Sequence, residues 1–185
     1  GGYVLSSGTD SDGIVVNGMS NYARNSRWSN AALVVDTTSG VDFRSEDILA
    51  GLEFQRKIET KAYQVSKSLA SGRELPSMTV YDFVSGKLSA QDLPKSSTPS
   101  GTVKANIREI LPNFVTNHLE NALIKFDQVM KGFVSEKALL LAPETRTSAP
   151  VTILRDKFTL ESTGLKGLYP CGEGAGHAGG ITSAA

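Results

Sequence analysis

Residues 167–185, GLYPCGEGAGHAGGITSAA, constrain the fold more than any other part of the sequence. Gly174, Gly176 and Gly179 fit the pattern G-x-G-x-x-G, in which glycines let the backbone approach a bulky ligand and a following helix offers N–H groups to an anion. A complete dinucleotide-binding unit also needs a full helix, a second strand and an acidic residue about 20 residues further on. Because the sequence stops at Ala185, we expect this chain to be part of a larger protein.

Taken alone, the glycine pattern leaves two interpretations open. It is either a structural glycine turn or a ligand-contacting turn that is completed by polypeptide outside these residues. Glu173 could bind a sugar hydroxyl, or it could be a solvated loop acid or a capping acid. His177 could serve as an acid, a base or a hydrogen-bond donor near neutral pH.

Composition narrows the class of protein. The chain has 185 residues, enough for one domain with a core, and 19 basic residues balance 19 acidic ones. This balance gives no attraction toward nucleic acid or an anionic membrane, and no apolar run approaches the ~20 residues that span a bilayer. The single cysteine, Cys171, excludes an internal disulfide and fits a reducing compartment, so we expect a cytoplasmic protein. No His, Cys and carboxylate spacing indicates a metal site.

The first half of the chain predicts three short strands and one long helix. Residues 2–7 and 13–17 are typical of strands around a turn, and the apolar run 31–35 predicts a buried strand. From residue 46 to about 70, apolar positions recur at helical spacing. Ser45 is a plausible N-cap, and Gly72 ends the pattern. The predicted apolar stripe comprises Ile48, Leu49, Leu52, Ile58, Ala62, Val65 and Leu69.

The second half predicts another helix and further strands. Residues 76–86 fit a strand or a helix equally, and residues 89–104 are typical of a loop. A helix is expected over 112–130, and strands are expected over 138–142 and 151–154. Together these elements predict an α+β fold, with two long helices packed on a mixed or antiparallel sheet assembled from strands near both chain ends.

Two arginines are further candidates for ligand contact. Arg146 lies between two predicted strands, and Arg155 ends the second of them. A guanidinium fork suits a carboxylate, a phosphate or a flavin carbonyl. The alternative is an ordinary ion pair with Glu144 or Asp156.

Several ordered segments resemble one known family. The segment 167–185 resembles the carboxy-terminal flavin-contacting motif of FAD-dependent dehydrogenases in the two-dinucleotide-binding-domain superfamily. ETRTSAPVTILRD (144–156), GGYV at the start and VVNGMS (15–20) resemble a mostly uncharacterised subfamily of these enzymes. The resemblance covers nearly the whole chain, with its strongest segments at the two ends.

The resemblance implies an organisation and a cofactor. Residues 1–35 would be strands at the junction with the FAD domain, 36–143 an inserted substrate or cap domain, and 144–185 the return to the FAD domain. The amino-terminal βαβ unit that holds the ADP half of FAD would be missing. The implied flavin contacts are Gly172, Glu173, Gly174, Ala175, Gly176, Gly179, Gly180 and Ile181.

The implied contacts divide along the loop. Its first glycines would lie near the ribityl–phosphate portion, and residues 179–181 nearer the isoalloxazine edge. His177 stands where the family usually has an aromatic residue, most often tyrosine, and this change could alter flavin electronics or only packing. Arg146, Arg155 and His177 are the candidates for the substrate side.

The resemblance implies a piece of an FAD-dependent oxidoreductase that is inactive alone. Its partners would be the FAD-binding domain of the same polypeptide and a small-molecule substrate, with no nucleic acid or membrane. Two alternatives stay open: a non-catalytic binding or interaction domain of flavoprotein ancestry, and a nicotinamide-binding module suggested by the glycine pattern.

Overall fold

A computed structural model of the chain describes residues 2–6, 10–44 and 46–176. The chain divides into two compact units. Unit 1 comprises Gly1–Asp36 and Arg56–Thr145, and unit 2 comprises Thr37–Gln55 and Arg146–Ala185. The functional roles given above to three ranges of the sequence remain a prediction.

Unit 1 begins with a β-hairpin. Strands β1 (Gly2–Ser6) and β2 (Val16–Ser20) pair antiparallel, with Gly2 opposite Ser20. The two predicted strands are therefore confirmed, but the second starts at Val16 rather than at residue 13. The preceding residues bond elsewhere, because the Ile14 N–H donates to the carbonyl of Glu59 at 3.1 Å.

The first long helix, α1 (Ala50–Leu69), starts later than predicted. The Asp47 carboxylate accepts the Leu49 N–H at 2.8 Å, and its carbonyl accepts the Ala50 N–H at 3.0 Å, so Asp47 organises the start of the helix. The predicted cap, Ser45, lies outside the described residues. Gly72, with φ +88°, follows the helix as expected.

Only part of the predicted stripe on α1 is buried. Ile58 and Ala62 are buried in unit 1, as expected. Ile48, Leu49, Leu52 and Leu69 are exposed, so the prediction is wrong at both ends of the stripe. The boundary between the units falls within α1, after Gln55. The first apolar residues therefore belong to unit 2, where the described residues do not bury them.

A three-stranded mixed sheet lies at the centre of unit 1. Strand β3 (Leu75–Thr79) is parallel to β4 (Thr102–Lys104) and antiparallel to β5 (Leu139–Leu141). All five residues of β3 are buried. The predicted α+β class with a mixed sheet is thus observed, but this sheet comes from the middle of the sequence. The amino-terminal strands form the separate hairpin.

The ambiguous segment 76–86 contains both a strand and a helix. Helix α2 (Val80–Ser85) starts directly after β3, and the Thr79 hydroxyl caps it by accepting the Asp82 N–H at 3.0 Å. Gly86 ends the helix with φ +69°. Asp82 is itself buried, and its carboxylate accepts the backbone N–H and the hydroxyl of Ser89.

Two further helices follow β4. The four-residue helix α3 (Ile107–Ile110), capped by Asn106, was not predicted. Helix α4 (Asn113–Val129) agrees with the predicted range within one residue at each end. The hydrophobic core joins these elements through Met78, Val80, Phe83, Ile107, Leu123 and Ala142.

Two apolar runs predicted as strands are irregular instead. Residues 31–35 and 151–154 have no regular secondary structure, and most of their side chains are exposed or only partly buried. A short apolar run becomes a strand only where a neighbouring strand pairs with it. Neither run lies in a sheet described here.

The core of unit 1 predicts a large cost for truncating Phe83. Its ring is fully buried, so Phe83→Ala should lower the free energy of unfolding by about 3 to 5 kcal/mol. Tyr81 lies in the same helix but is half-exposed, so Tyr81→Ala should cost less than about 1 kcal/mol. Urea denaturation measures both, and equal losses would contradict the proposed core.

Two carboxylates predict pH effects of opposite sign. Backbone N–H groups of Val134 and Gly132 bond to Asp127 and hold its pKa below the usual range, whereas burial raises the pKa of Glu144. Ionised Asp127 therefore stabilises the fold at neutral pH, and this stabilisation disappears as pH falls through the lowered pKa. Ionised Glu144 destabilises the fold as pH rises through the usual glutamate range.

Substitution at each carboxylate tests these signs. Asp127→Asn should lower the unfolding free energy at about pH 7 more than at about pH 3. Glu144→Gln should raise it at about pH 7 and change it less at about pH 4. Denaturation at each pH measures both, and changes of the same sign at neutral pH would contradict the assignments.

Candidate functional site

The glycine-rich segment forms a tight turn in unit 2. Residues Gly172–Ala175 make a single 3₁₀ turn, which ends at Gly176. The Gly176 N–H donates to the carbonyl of Glu173 at 2.9 Å. Gly172 and Gly176 have φ of +68° and +83°, a backbone region that other residues rarely adopt. Glycine at these two positions is therefore explained by the turn itself.

Gly174 differs from its two neighbours. Its φ is not positive, and a Cβ built on it would meet no described atom within 4 Å. At Gly176, by contrast, a Cβ would lie 3.3 Å from Cγ2 of Thr152. The described fold thus gives no reason for glycine at position 174, and the open space beside its backbone is suited to close approach by another molecule.

Two hydrogen bonds fix the turn to the segment 149–153. The Ile153 N–H donates to the carbonyl of Gly174 at 2.7 Å, and the Ala149 N–H donates to Oε1 of Glu173. Glu173 therefore helps to order the loop. These two bonds restrain the turn without any ligand.

Arg155 also acts on the backbone next to the turn. Its Nη1 donates to the carbonyl of Pro170 at 2.7 Å. This bond fixes the chain just before Cys171, at the entrance to the turn. Arg146 is exposed at the start of the second stretch of unit 2. Arg155 thus contacts the residues that precede the turn.

Beyond the turn, the sequence predicts four further contact residues. His177, Gly179, Gly180 and Ile181 lie outside the described residues, so their roles stay predictions. Cys171 is exposed, and no described strand directly precedes it. Pro170, immediately before it, cannot donate to a strand ladder.

Sequence reasoning missed two buried carboxylates, Asp82, whose contacts are given above, and Glu59. Glu59 is 2% exposed, and its Oε1 accepts the hydroxyl of Thr145. Its position at helical spacing from Ala62 and Ser66, which are also buried, is the signal that could have found it. The Thr145 hydroxyl bonds to the Glu59 carboxylate and the Ile14 N–H bonds to the Glu59 carbonyl, so Glu59 connects α1 to two loops of unit 1.

Unit 1 also has an open groove of about 670 Å³. Lys61, Arg108 and Asn113 are among its lining residues. Arg108 is already engaged, because its Nη1 donates to Glu120 at 2.7 Å and to the Phe83 carbonyl at 3.1 Å. The Arg108 guanidinium is therefore held by groups of the protein itself.

The described part of the chain contains neither a metal-ligand cluster nor a membrane-spanning helix. Within residues 2–6, 10–44 and 46–176, no three His, Cys, Asp or Glu side chains gather in a way that could hold a metal ion. Over the same residues, no helix has both the length and the apolar character needed to cross a bilayer.

Comparisons with known proteins identify a family. A family model described as "FAD-dependent protein, C-terminal domain-like" matches residues 1–147. An uncharacterised protein of Clostridium beijerinckii is 41% identical across the whole chain, which covers 34% of that protein. The chain thus spans about a third of the length of this relative.

These matches confirm the FAD-dependent family but not the subfamily. The family match ends before the glycine turn, so it does not bear on the turn's role. It covers most of the sequence, including nearly all of unit 1. The chain therefore belongs to the family of FAD-dependent protein, C-terminal domain-like proteins.

Proposed function

We propose that the full-length protein is an FAD-dependent oxidoreductase, specifically a dehydrogenase. This chain would supply the substrate-side domain and a glycine turn that contacts the flavin. The observation that carries the proposal is Gly174, a glycine that the described fold does not require and that leaves its backbone open to approach. The family match makes FAD the proposed cofactor of the full-length protein, and the resemblance of residues 167–185 to a flavin-contacting motif assigns that cofactor to the turn.

The described residues fit part of a flavin site. The backbone of residues 172–176 would hold the ribityl–phosphate portion of FAD, and the bonds of Glu173 and Gly174 to residues 149–153 would keep that backbone in place. The bound flavin supplies the capacity to accept a hydride or an electron pair. The protein's part is to bind and orient the cofactor and substrate.

Different observations support the roles proposed for the two arginines. Arg155 donates to the Pro170 carbonyl, so it would position the turn. Arg146 is exposed and suits a carboxylate or another anionic group of a small substrate. His177 is proposed to lie on the same substrate side.

This chain alone is proposed to be inactive. It covers 34% of its Clostridium relative, so most of the polypeptide that would hold FAD lies outside the matched region. A single turn supplies few contacts, and those must offset the entropy lost when a large cofactor binds. The partner is proposed to be the FAD-binding region of the same polypeptide, in a cytoplasmic protein.

A second function is supported by a different observation. Glu173 and Arg155, two of the predicted ligand contacts, both bond to backbone groups of this chain. Their structural use favours a non-catalytic binding domain that has kept flavoprotein ancestry. Absorption spectroscopy of the purified full-length protein separates the two, because only the oxidoreductase should carry a yellow chromophore.

Substitution at Gly174 tests the proposed contact. In the full-length protein, Gly174→Ala should fold normally, because the new Cβ meets no described atom. It should nevertheless weaken FAD binding by about tenfold, or about 1.4 kcal/mol, because that Cβ would occupy the space of the flavin. Flavin absorbance per protein and thermal unfolding measure the two effects.

Two other glycines provide controls for this experiment. Gly164 has the same open surroundings and no positive φ, so Gly164→Ala should change neither flavin content nor stability. Gly176→Ala should lower stability through backbone strain and contact with Thr152. Full flavin content in Gly174→Ala would show that the turn is only structural, and a full-length protein that never takes up FAD would overturn the proposed function.

A further inference from the structure

Unit 2 exposes large apolar side chains without burying any. Among the described residues, every buried Ala, Val, Ile, Leu, Met and Phe side chain belongs to unit 1. Isolated exposed apolar residues are normal on a protein surface. A unit whose described residues expose apolar side chains but form no apolar core is unusual. The exposed large apolar residues of unit 2 are Val41, Ile48, Leu49, Leu52, Ile153, Leu154, Phe158, Leu160, Leu165, Leu168 and Tyr169.

One loop of unit 2 displays an aromatic ring at its tip. Arg155 and Ser162 form an antiparallel bridge that closes the loop, which we call the Phe158 loop. Within it, Phe158 is 94% exposed. A phenylalanine in this position does not gain the favourable free energy that burial of its ring would provide.

The Phe158 loop is ordered by its own hydrogen bonds. Oδ1 of Asp156 accepts the N–H groups of Phe158 at 2.8 Å and of Thr159 at 2.7 Å. The Asp156 N–H donates to the carbonyl of Glu161 at 2.8 Å. Bonds from the Thr159 and Phe158 N–H groups hold the pKa of Asp156 below its usual range, so the carboxylate is ionised at neutral pH. Phe158 is therefore presented by a defined turn.

Leu160 adds backbone strain to this loop. Its φ is +62°, in the left-handed region that leucine rarely adopts. Such strain persists where surrounding contacts over-determine the conformation. The side chain of Leu160 is itself 46% exposed, so the described residues cover it only in part. An ordered, strained and apolar loop is best explained by a surface that covers it.

We propose that the Phe158 loop docks into an apolar pocket on the flavin-binding region of the same full-length polypeptide. This inference rests on the proposed function. Two observations support this docking partner. Two thirds of the length of the Clostridium relative lies outside the matched region, and the loop presents aromatic and aliphatic groups at its tip. A buried aromatic anchor surrounded by aliphatic contacts is typical of the centre of a stable interface.

Hydroxyl-radical footprinting of the full-length protein tests this docking. Oxidation of Phe158, read by mass spectrometry and corrected for intrinsic reactivity, should be roughly tenfold lower than that of Tyr22. Tyr22 is fully exposed in unit 1 and serves as the internal reference. Equal corrected oxidation of the two side chains would overturn the proposal.

A matched pair of variants gives an independent measurement. In the full-length protein, Phe158→Ser should lower the melting temperature by at least about 4 °C, whereas Tyr22→Ser should leave it unchanged. Phe158→Leu keeps an apolar anchor and should recover most of the loss. Equal effects of Phe158→Ser and Tyr22→Ser would contradict docking.

Flavin content, measured on the same samples, separates this inference from the proposed function. Protection of Phe158 in a full-length protein that does not take up FAD overturns the proposed function and, with it, the identification of the docking partner as a flavin-binding region. An FAD-containing protein in which Phe158 is freely oxidised overturns the docking alone. Protection that disappears on dilution to monomer would identify a second copy as the partner and would also overturn the proposal.

Discussion

Complete burial of strand β3 is the constraint on which the rest of unit 1 depends. A buried strand must pair its backbone groups, and β4 and β5 do so on its two sides. Pro76 is compatible with this central position because it lies one residue beyond the β3–β5 ladder, where its carbonyl accepts the Ala142 N–H at 3.1 Å. The chain then turns directly into α2 at Thr79, which brings Phe83 into the core.

The sequence predicted the long helices well because their signal is local. Apolar spacing located α4 within a residue at each end, and Gly72 was correctly placed after α1. The join between β3 and α2 was harder, since a short apolar run does not distinguish a strand from a helix. The pattern of Thr79 followed by Asp82 was the available sign of a capped helix start. The run 31–35 was misassigned because a strand depends on a partner that its own residues do not reveal.

The candidate site shows the same limit at the level of side chains. The glycine pattern predicted a turn, and a turn is present at 172–175. The partners of its neighbours could not be predicted, because Glu173 bonds to a residue 24 positions away and Arg155 to one 15 positions away. Glu59 and Thr145 are separated by 86 positions. Such contacts are set by the path of the chain, so residue type alone did not reveal that Glu173 and Arg155 bond to the backbone of this chain.

The two units differ in what stabilises them, and this difference bears on the flavin. Unit 1 has its own apolar core, whereas the described part of unit 2 is held mainly by backbone and side-chain hydrogen bonds. The glycine turn and the Phe158 loop both lie within residues 149–176, and hydrogen bonds stabilise both of them. A surface that covers the loop would therefore also reduce the entropy lost when the turn orders around a cofactor. By thermodynamic linkage, a flavin bound at the turn would stabilise the docked loop by the same coupling free energy. If the proposed function holds, retention of the cofactor and contact with the rest of the polypeptide are therefore two coupled equilibria, and each one strengthens the other.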